Sequence, residues 1–147
     1  MASPASEARP RTDLPSIDDN SAPYWAAARD GILMAAWCAD CERIHHYPRA
    51  RCPFCWSDAV EPRAMSGRAT LYTYSIVHMN DLPPFDSRLP YVAAVVELDE
   101  GPRLQTNIID CAPEELRIGM PLQVAFTPLN DEVTATVFRP ASDGRAA

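Results

Sequence analysis

The sequence contains no lysine; all thirteen of its basic residues are arginine. A P-loop phosphate site needs a lysine, and so does Schiff-base chemistry, so both are excluded. Glycine is scarce too, at five residues in 147, while proline stands at 15. That is about half the usual glycine and twice the usual proline. Prolines spread this widely leave little room for long helices. No apolar run approaches the ~20 residues that span a bilayer. No GxGxxG, GxSxG or HExxH motif occurs, which removes the dinucleotide, hydrolase and metalloprotease fingerprints. The opening stretch MASPASEARPRTD has no apolar core and carries Glu7 and Asp13. Neither a secretory signal nor a transit peptide is expected, and a cytoplasmic location is.

What is present suffices for one ordinary domain or two very small ones. Hydrophobic residues make up 47% and charged residues 22%, with a formal charge of −7, a composition that folds. Residues 1–20 are polar, are broken by Pro4, Pro10 and Pro15, and read as a mobile tail. Residues 21–34 open with SAPYWAAARDG. Ser21 is the expected N-cap of a short helix, Pro23 fits its first turn, and Gly31 suits the position just past its end. Tyr24, Trp25 and Ala28 share one face, which either covers its own domain or docks on a partner chain.

Residues 35–64 hold four of the five cysteines, as Cys38-Ala-Asp-Cys41 and Cys52-Pro-Phe-Cys55, ten residues apart. Two thiolates three positions apart can face one ion across a tight turn, and two such knuckles make the tetrahedral S4 shell that Zn²⁺ accepts. A cytoplasmic chain disfavours the alternative of two disulfides. Four protein thiolates leave no open position, so the site is structural. Iron in the same shell would make an electron carrier. Such knuckles usually place Gly after the second Cys, where the chain turns left-handed; here Glu42 and Trp56 stand there. That strain costs roughly 1–2 kcal/mol per residue. Zinc binding in finger peptides contributes roughly 10–16 kcal/mol, so the metal wins. Cys111 stands apart from the four and reads as a small buried hydrophobe. The stretch RIHHYPRARCP concentrates His45, His46, Arg43, Arg49 and Arg51. It is either an anion contact or a solvated ribbon edge.

From residue 65 to 140 the pattern is β-rich. The runs ATLYTYSIVHM, YVAAVVEL, RLQTNIID, MPLQVAF and VTATVFR give five strands, with APEELRIGM supplying a short helix between the third and fourth. That is the order of an OB-fold, a five-stranded Greek-key barrel. MNDLPPFDSRLP, between the first two strands, is either a binding loop or a stiff spacer. Residues 141–147 are a second tail. A zinc ribbon beside an OB-fold raises the prospect of single-stranded nucleic acid, with Tyr72, Tyr74 and Phe85 as stacking or core residues. The charge opposes it: from residue 69 onward five arginines face eleven acidic residues, whereas such affinity comes largely from basic residues neutralising phosphates.

The order PYWxAxRxG, CxxC, CxxC, SGRATLYTYSIVH, PYVAAVVELDEG, LRIGMPLQVAF resembles the acyl-CoA-associated zinc-ribbon/OB-fold proteins, a domain-of-unknown-function family. The likeness covers about residues 22–140. It implies a mainly β fold: a short N-terminal helix and a rubredoxin-like zinc ribbon, then a five-stranded OB-fold barrel. It further implies a non-catalytic accessory subunit that accompanies a thiolase-fold or related acyl-CoA enzyme. The partner would supply the catalytic residues, and the small chain would help shape the channel for coenzyme A or acyl-CoA. On that reading Cys38, Cys41, Cys52 and Cys55 hold zinc, and Tyr24 and Trp25 anchor the interface. Arg49, Arg51 and Arg88 are the candidates for the coenzyme A phosphates. The rival functions are a single-stranded nucleic-acid module, an iron electron carrier and an enzyme acting alone.

Overall fold

A computed structural model describes residues 11–142. The expected tail segments 1–10 and 143–147 lie outside the described residues. One α-helix, α1 (Ala22–Arg29), precedes eight strands: β1 (Met34–Cys38), β2 (Ile44–His45), β3 (Val60–Ala64), β4 (Arg68–Val77), β5 (Tyr91–Leu98), β6 (Arg103–Ile108), β7 (Pro121–Pro128) and β8 (Thr134–Pro140). The first three form an antiparallel sheet in the order β2-β1-β3, and the other five close a barrel in the order β4-β5-β6-β8-β7. The mainly β architecture read from the sequence is the one observed.

The start of α1 differs in detail from expectation. Ser21 makes no side-chain cap. Its Oγ instead accepts the Asp18 N–H at 3.0 Å, while Asp18 Oδ1 accepts the Ser21 N–H at 2.8 Å. The two residues satisfy each other in a turn ahead of the helix, a common local competition for Ser and Asp. At the other end Gly31 takes φ +76°. Its N–H reaches Ala28 O and that of Ile32 reaches Ala27 O, closing the last turn. Ala27 and Ala28 are the buried side chains of α1.

β3 has Pro62 inside it. It sits on an edge of the small sheet, where a strand tolerates a missing N–H. In the barrel, β4 is ten residues long and serves two neighbours. It pairs with β5 along its length and with β7 at Arg68–Thr70. A bulge at Tyr72, between Leu71 and Thr73, bends it round the closure. β5 alternates half-buried and buried positions without a break, the signature of one face turned inward. Between β6 and β7 the expected helix is reduced to a single 3-10 turn at Pro113–Glu115. The closing pair β6–β8 is parallel, is registered only at Ile108↔Phe138, and gains a hydrogen bond from Thr106 Oγ1 to Thr136 O at 3.0 Å.

Ribbon and barrel share one core. Leu33, Ala35 and Met65 belong to the same buried cluster as Leu71, Val96, Leu122 and Phe138. Burying side chains of this size stabilises by about 1.5–3 kcal/mol each. The junction residues Ser66-Gly67-Arg68 are tied to the β5–β6 turn. Ser66 donates from N and Oγ to Glu100, and Arg68 pairs with Asp99 at 3.0 Å. Within residues 11–20, expected as part of a mobile tail, Arg11, Thr12 and Asp13 bond to the barrel loops, while residues 16–20 are exposed. The Asp13 side chain is 3% exposed and pairs with Arg11 at 2.8 Å and Arg88 at 2.9 Å. An ion pair 75 residues apart in sequence leaves no local pattern to read.

Gly67 sits at φ +81°, and an added Cβ would collide with Val124 Cγ1 and lie 3.0 Å from Gln123 Nε2. Gly67→Ala is expected to cost at least about 2 kcal/mol, combining backbone strain with overpacking. Chemical denaturation checks this, with the metal content per folded chain unchanged.

Candidate metal centre

β1 ends at Cys38, so the first knuckle hangs from the central strand of the small sheet. The two knuckles repeat one hydrogen-bond plan. Glu42 N–H donates to Cys38 O at 2.8 Å and Trp56 N–H to Cys52 O at 2.9 Å; Cys38 N–H donates to Arg43 O and Cys52 N–H to Ser57 O. Glu42 and Trp56 take φ +58° and +65°, the left-handed turns anticipated after each second cysteine. A hydrogen bond from Ser57 Oγ to the Asp40 carboxylate ties the knuckles together, a contact the spacing did not reveal.

The four sulfurs all lie within 4.8 Å of one another. Cys38 and Cys55 are 3.6 Å apart, as are Cys41 and Cys52. A tetrahedron with Zn–S bonds of about 2.3 Å has sulfurs about 3.8 Å apart. The donor set and spacing therefore fit a zinc ion bound by Cys38, Cys41, Cys52 and Cys55. Cys38 and Cys52 are fully buried, Cys41 is partly so, and Cys55 is the exposed member. The protonation pattern without a cation points the same way. The Ser57 N–H favours a Cys55 thiolate, but burial and the other three sulfurs push its thiol up to about 12. Burial opposes ionisation of Cys52, yet the N–H groups of Cys55 and Phe54 outweigh it and bring that thiol down to about 7. Burial raises Cys41. Four thiolates at this distance repel, and a dication relieves the repulsion while releasing protons. The ion would supply a folding brace; every side-chain donor faces it, so no coordination position is left for chemistry.

The other candidates fall in separate settings. Tyr24 turns toward its own barrel: its hydroxyl donates to Thr136 Oγ1 at 3.0 Å, and burial raises its ionisation range. Trp25 meets it edge-on with ring centres 5.0 Å apart. Arg49 lines a cavity of about 190 Å³ with Pro23, Tyr24, Met34 and Pro62. Arg51 donates to Trp56 O at 3.3 Å and lies near that ring. Arg88 is on the barrel, paired with Asp13. The three arginines thus have three different local settings.

The histidines are not a solvated edge. His45 is 3% exposed, and neither of its ring nitrogens has a partner. Burial, then Arg49, lowers its pKa. Burial, then His45, brings His46 down to about 4. Both shifts favour the neutral ring. Cys111, expected to be buried, is half-exposed, and burial and Glu115 raise its thiol pKa. Tyr72 stacks under Arg103 at 3.9 Å on the surface rather than in the core.

Ribbon, metal-binding knuckles and closed barrel define a two-part zinc-ribbon/OB-fold protein. Family models match both parts: a ChsH2 rubredoxin-like zinc ribbon domain over residues 25–61 and a ChsH2 C-terminal OB-fold domain over residues 62–127. The chain is 35% identical over 101 residues to a DUF35 domain-containing scaffold protein of Methanocaldococcus jannaschii, covering 68% of this chain and 71% of that one. It belongs to the DUF35 family. It is also 38% identical over 133 residues to the probable enoyl-CoA hydratase alpha subunit of Thermomonospora curvata. That match takes in 90% of this chain but 40% of the relative's length. A solved structure described as the Ltp2-ChsH2(DUF35) aldolase aligns with TM-score 0.79 and 36% identity, over 88% of this chain and 100% of that chain. A DUF35 structure from Sulfolobus solfataricus, at 12% identity and TM-score 0.59, shares the fold.

The purified chain is expected to carry one zinc per molecule and to be colourless; a coloured iron centre would contradict this assignment. Cys38→Ser should lose the metal and unfold the small sheet, read by elemental analysis and circular dichroism. Trp56→Gly should relieve roughly 1 kcal/mol of backbone strain and slow zinc loss to a chelator.

Proposed function

We propose that this chain is a non-catalytic accessory subunit of an acyl-CoA-processing complex, with a thiolase-fold or related enzyme as its partner in a cytoplasmic hetero-oligomer. A zinc ion held by Cys38, Cys41, Cys52 and Cys55 braces the ribbon. The observation that carries the proposal is the alignment over the whole of the DUF35 chain in a structure described as an aldolase. Relatives described as scaffold proteins and as a hydratase alpha subunit support it. The site chemistry agrees. The metal shell is filled by protein sulfur, and the one cysteine outside it has a raised pKa. A nucleophile of that kind needs an activating base.

In this reading the helix face carrying Tyr24 and Trp25 is the anchor, with Trp25 the more available residue because Tyr24 is spent on Thr136. The cavity beside Arg49 adjoins that face. Coenzyme A or an acyl-CoA is the substrate of the complex. Arg49 and Arg51 are this chain's candidates for its phosphates, arginine suiting that role by charge and by its fork of donors. Arg88 is a weaker candidate because Asp13 already holds it.

A single-stranded nucleic-acid module is the second reading, and the barrel's charge works against it. The arginines there face local acids: Arg68 with Asp99, Arg103 with Glu97, Arg88 with Asp13. They are poorly placed to neutralise phosphates.

Affinity capture of the chain from native cells, followed by mass spectrometry, should recover a stoichiometric acyl-CoA enzyme. Recovery of the chain alone, with acyl-CoA turnover by the purified chain, would overturn the proposal. Trp25→Ala should weaken capture at least tenfold with zinc content unchanged. Tyr24→Phe, which removes only the Thr136 bond, should cost about 1 kcal/mol of stability.

A further inference from the structure

In an OB-fold the ligand cleft lies on the second and third strands, between the loop joining strands one and two and the loop joining strands four and five. Here those are β5 and β6, residues 78–90, and residues 129–133. A groove of about 790 Å³ occupies that place, lined by Phe85, Tyr91, Val92, Ile108 and Leu129 among others. The chain's own segment 11–13 spans it from one loop to the other. Thr12 donates to Pro83 O through its N–H at 3.4 Å and its Oγ1 at 2.7 Å. Arg11 Nη2 donates to Leu129 O at 3.0 Å. Between these contacts Asp13 projects inward, and Arg88 from the first loop and Arg11 from the segment itself both hold its carboxylate.

We propose that the cleft is a receptor for an extended polypeptide segment bearing a carboxylate, and that residues 11–13 are its resident occupant in cis. The contacts have the character of peptide recognition. Carbonyls of both loops accept from the segment, an apolar floor lies alongside, and the loop's Arg88 joins the segment's own Arg11 on a single acidic side chain. Charge complementarity picks the occupant. The barrel is acidic overall, and Arg88 is the cation that the first loop turns to the cleft; it already holds a carboxylate. An incoming acidic segment from another protein must displace the strap to bind, so the strap sets a threshold for occupation. The inference shares only Arg88 with the acyl-CoA reading, where it is the weakest phosphate candidate, and otherwise rests on the barrel loops and residues 11–13.

The test uses a labelled synthetic peptide of residues 11–18 added in trans to the full-length, zinc-loaded chain. The wild-type chain should bind it at least tenfold more weakly than Asp13→Ala, whose strap has lost its carboxylate anchor on Arg88. In the Asp13→Ala chain, replacing the aspartate at the peptide's third position by alanine, or adding Arg88→Ala to the chain, should each weaken binding at least tenfold. Equal binding by wild type and Asp13→Ala, or indifference to the peptide's carboxylate, overturns the proposal. So does preferential binding of a single-stranded oligonucleotide to the opened cleft. Should Asp13→Ala misfold, hydrogen exchange on the wild-type chain decides. The Thr12 amide should be protected, and Arg88→Ala should expose it while the β5 amides stay protected. An unprotected Thr12 in wild type refutes the resident strap.

Discussion

Four sulfur atoms brought within a few ångströms of one another are the constraint on which the rest of the ribbon depends. The small sheet has two strands of five residues and one of two, so it has few ladder hydrogen bonds of its own to hold the knuckles. The knuckles also force Glu42 and Trp56 into left-handed backbone. Trp56 is 72% exposed as well, so it is costly in both conformation and hydration. A chain that keeps such residues there must have a large compensating term, and metal coordination supplies one several times larger than the strain.

The brace serves more than the ribbon. Leu33, Ala35 and Met65 enter the barrel's own core, and the Ser66-Gly67-Arg68 junction is bonded to the turn after β5. Ribbon, helix and barrel are thus held as one body by packing rather than joined by a free linker. This suits a scaffold, whose contribution is a fixed relation between surfaces.

Much of this was legible in the sequence because it is carried by local patterns. The CxxC spacing specifies the sulfur cluster, the position after each second cysteine marks the left-handed turns even though Glu42 and Trp56 stand there, and β-branched runs specify the five barrel strands. What was not legible is what depends on partners distant in sequence. Asp13 finds Arg88, Tyr24 finds Thr136 and Asp40 finds Ser57. Polar pairs of this kind follow no periodicity. The histidines failed for a related reason: Phe54, one knuckle away, packs edge-on to the His45 ring. Tertiary placement, not composition, decides whether a basic-looking stretch is wet.

The barrel closes between β6 and β8 through a single registered pair, the Ile109 N–H bonded to Phe138 O, and one threonine hydrogen bond. The same residue, Thr136, accepts the Tyr24 hydroxyl from the helix. The helix is therefore fastened to β8, the strand with this short seam on one side and a full pairing with β7 on the other. A displacement of the helix therefore bears on the strand beside that seam and not on the long β4–β5 pairing.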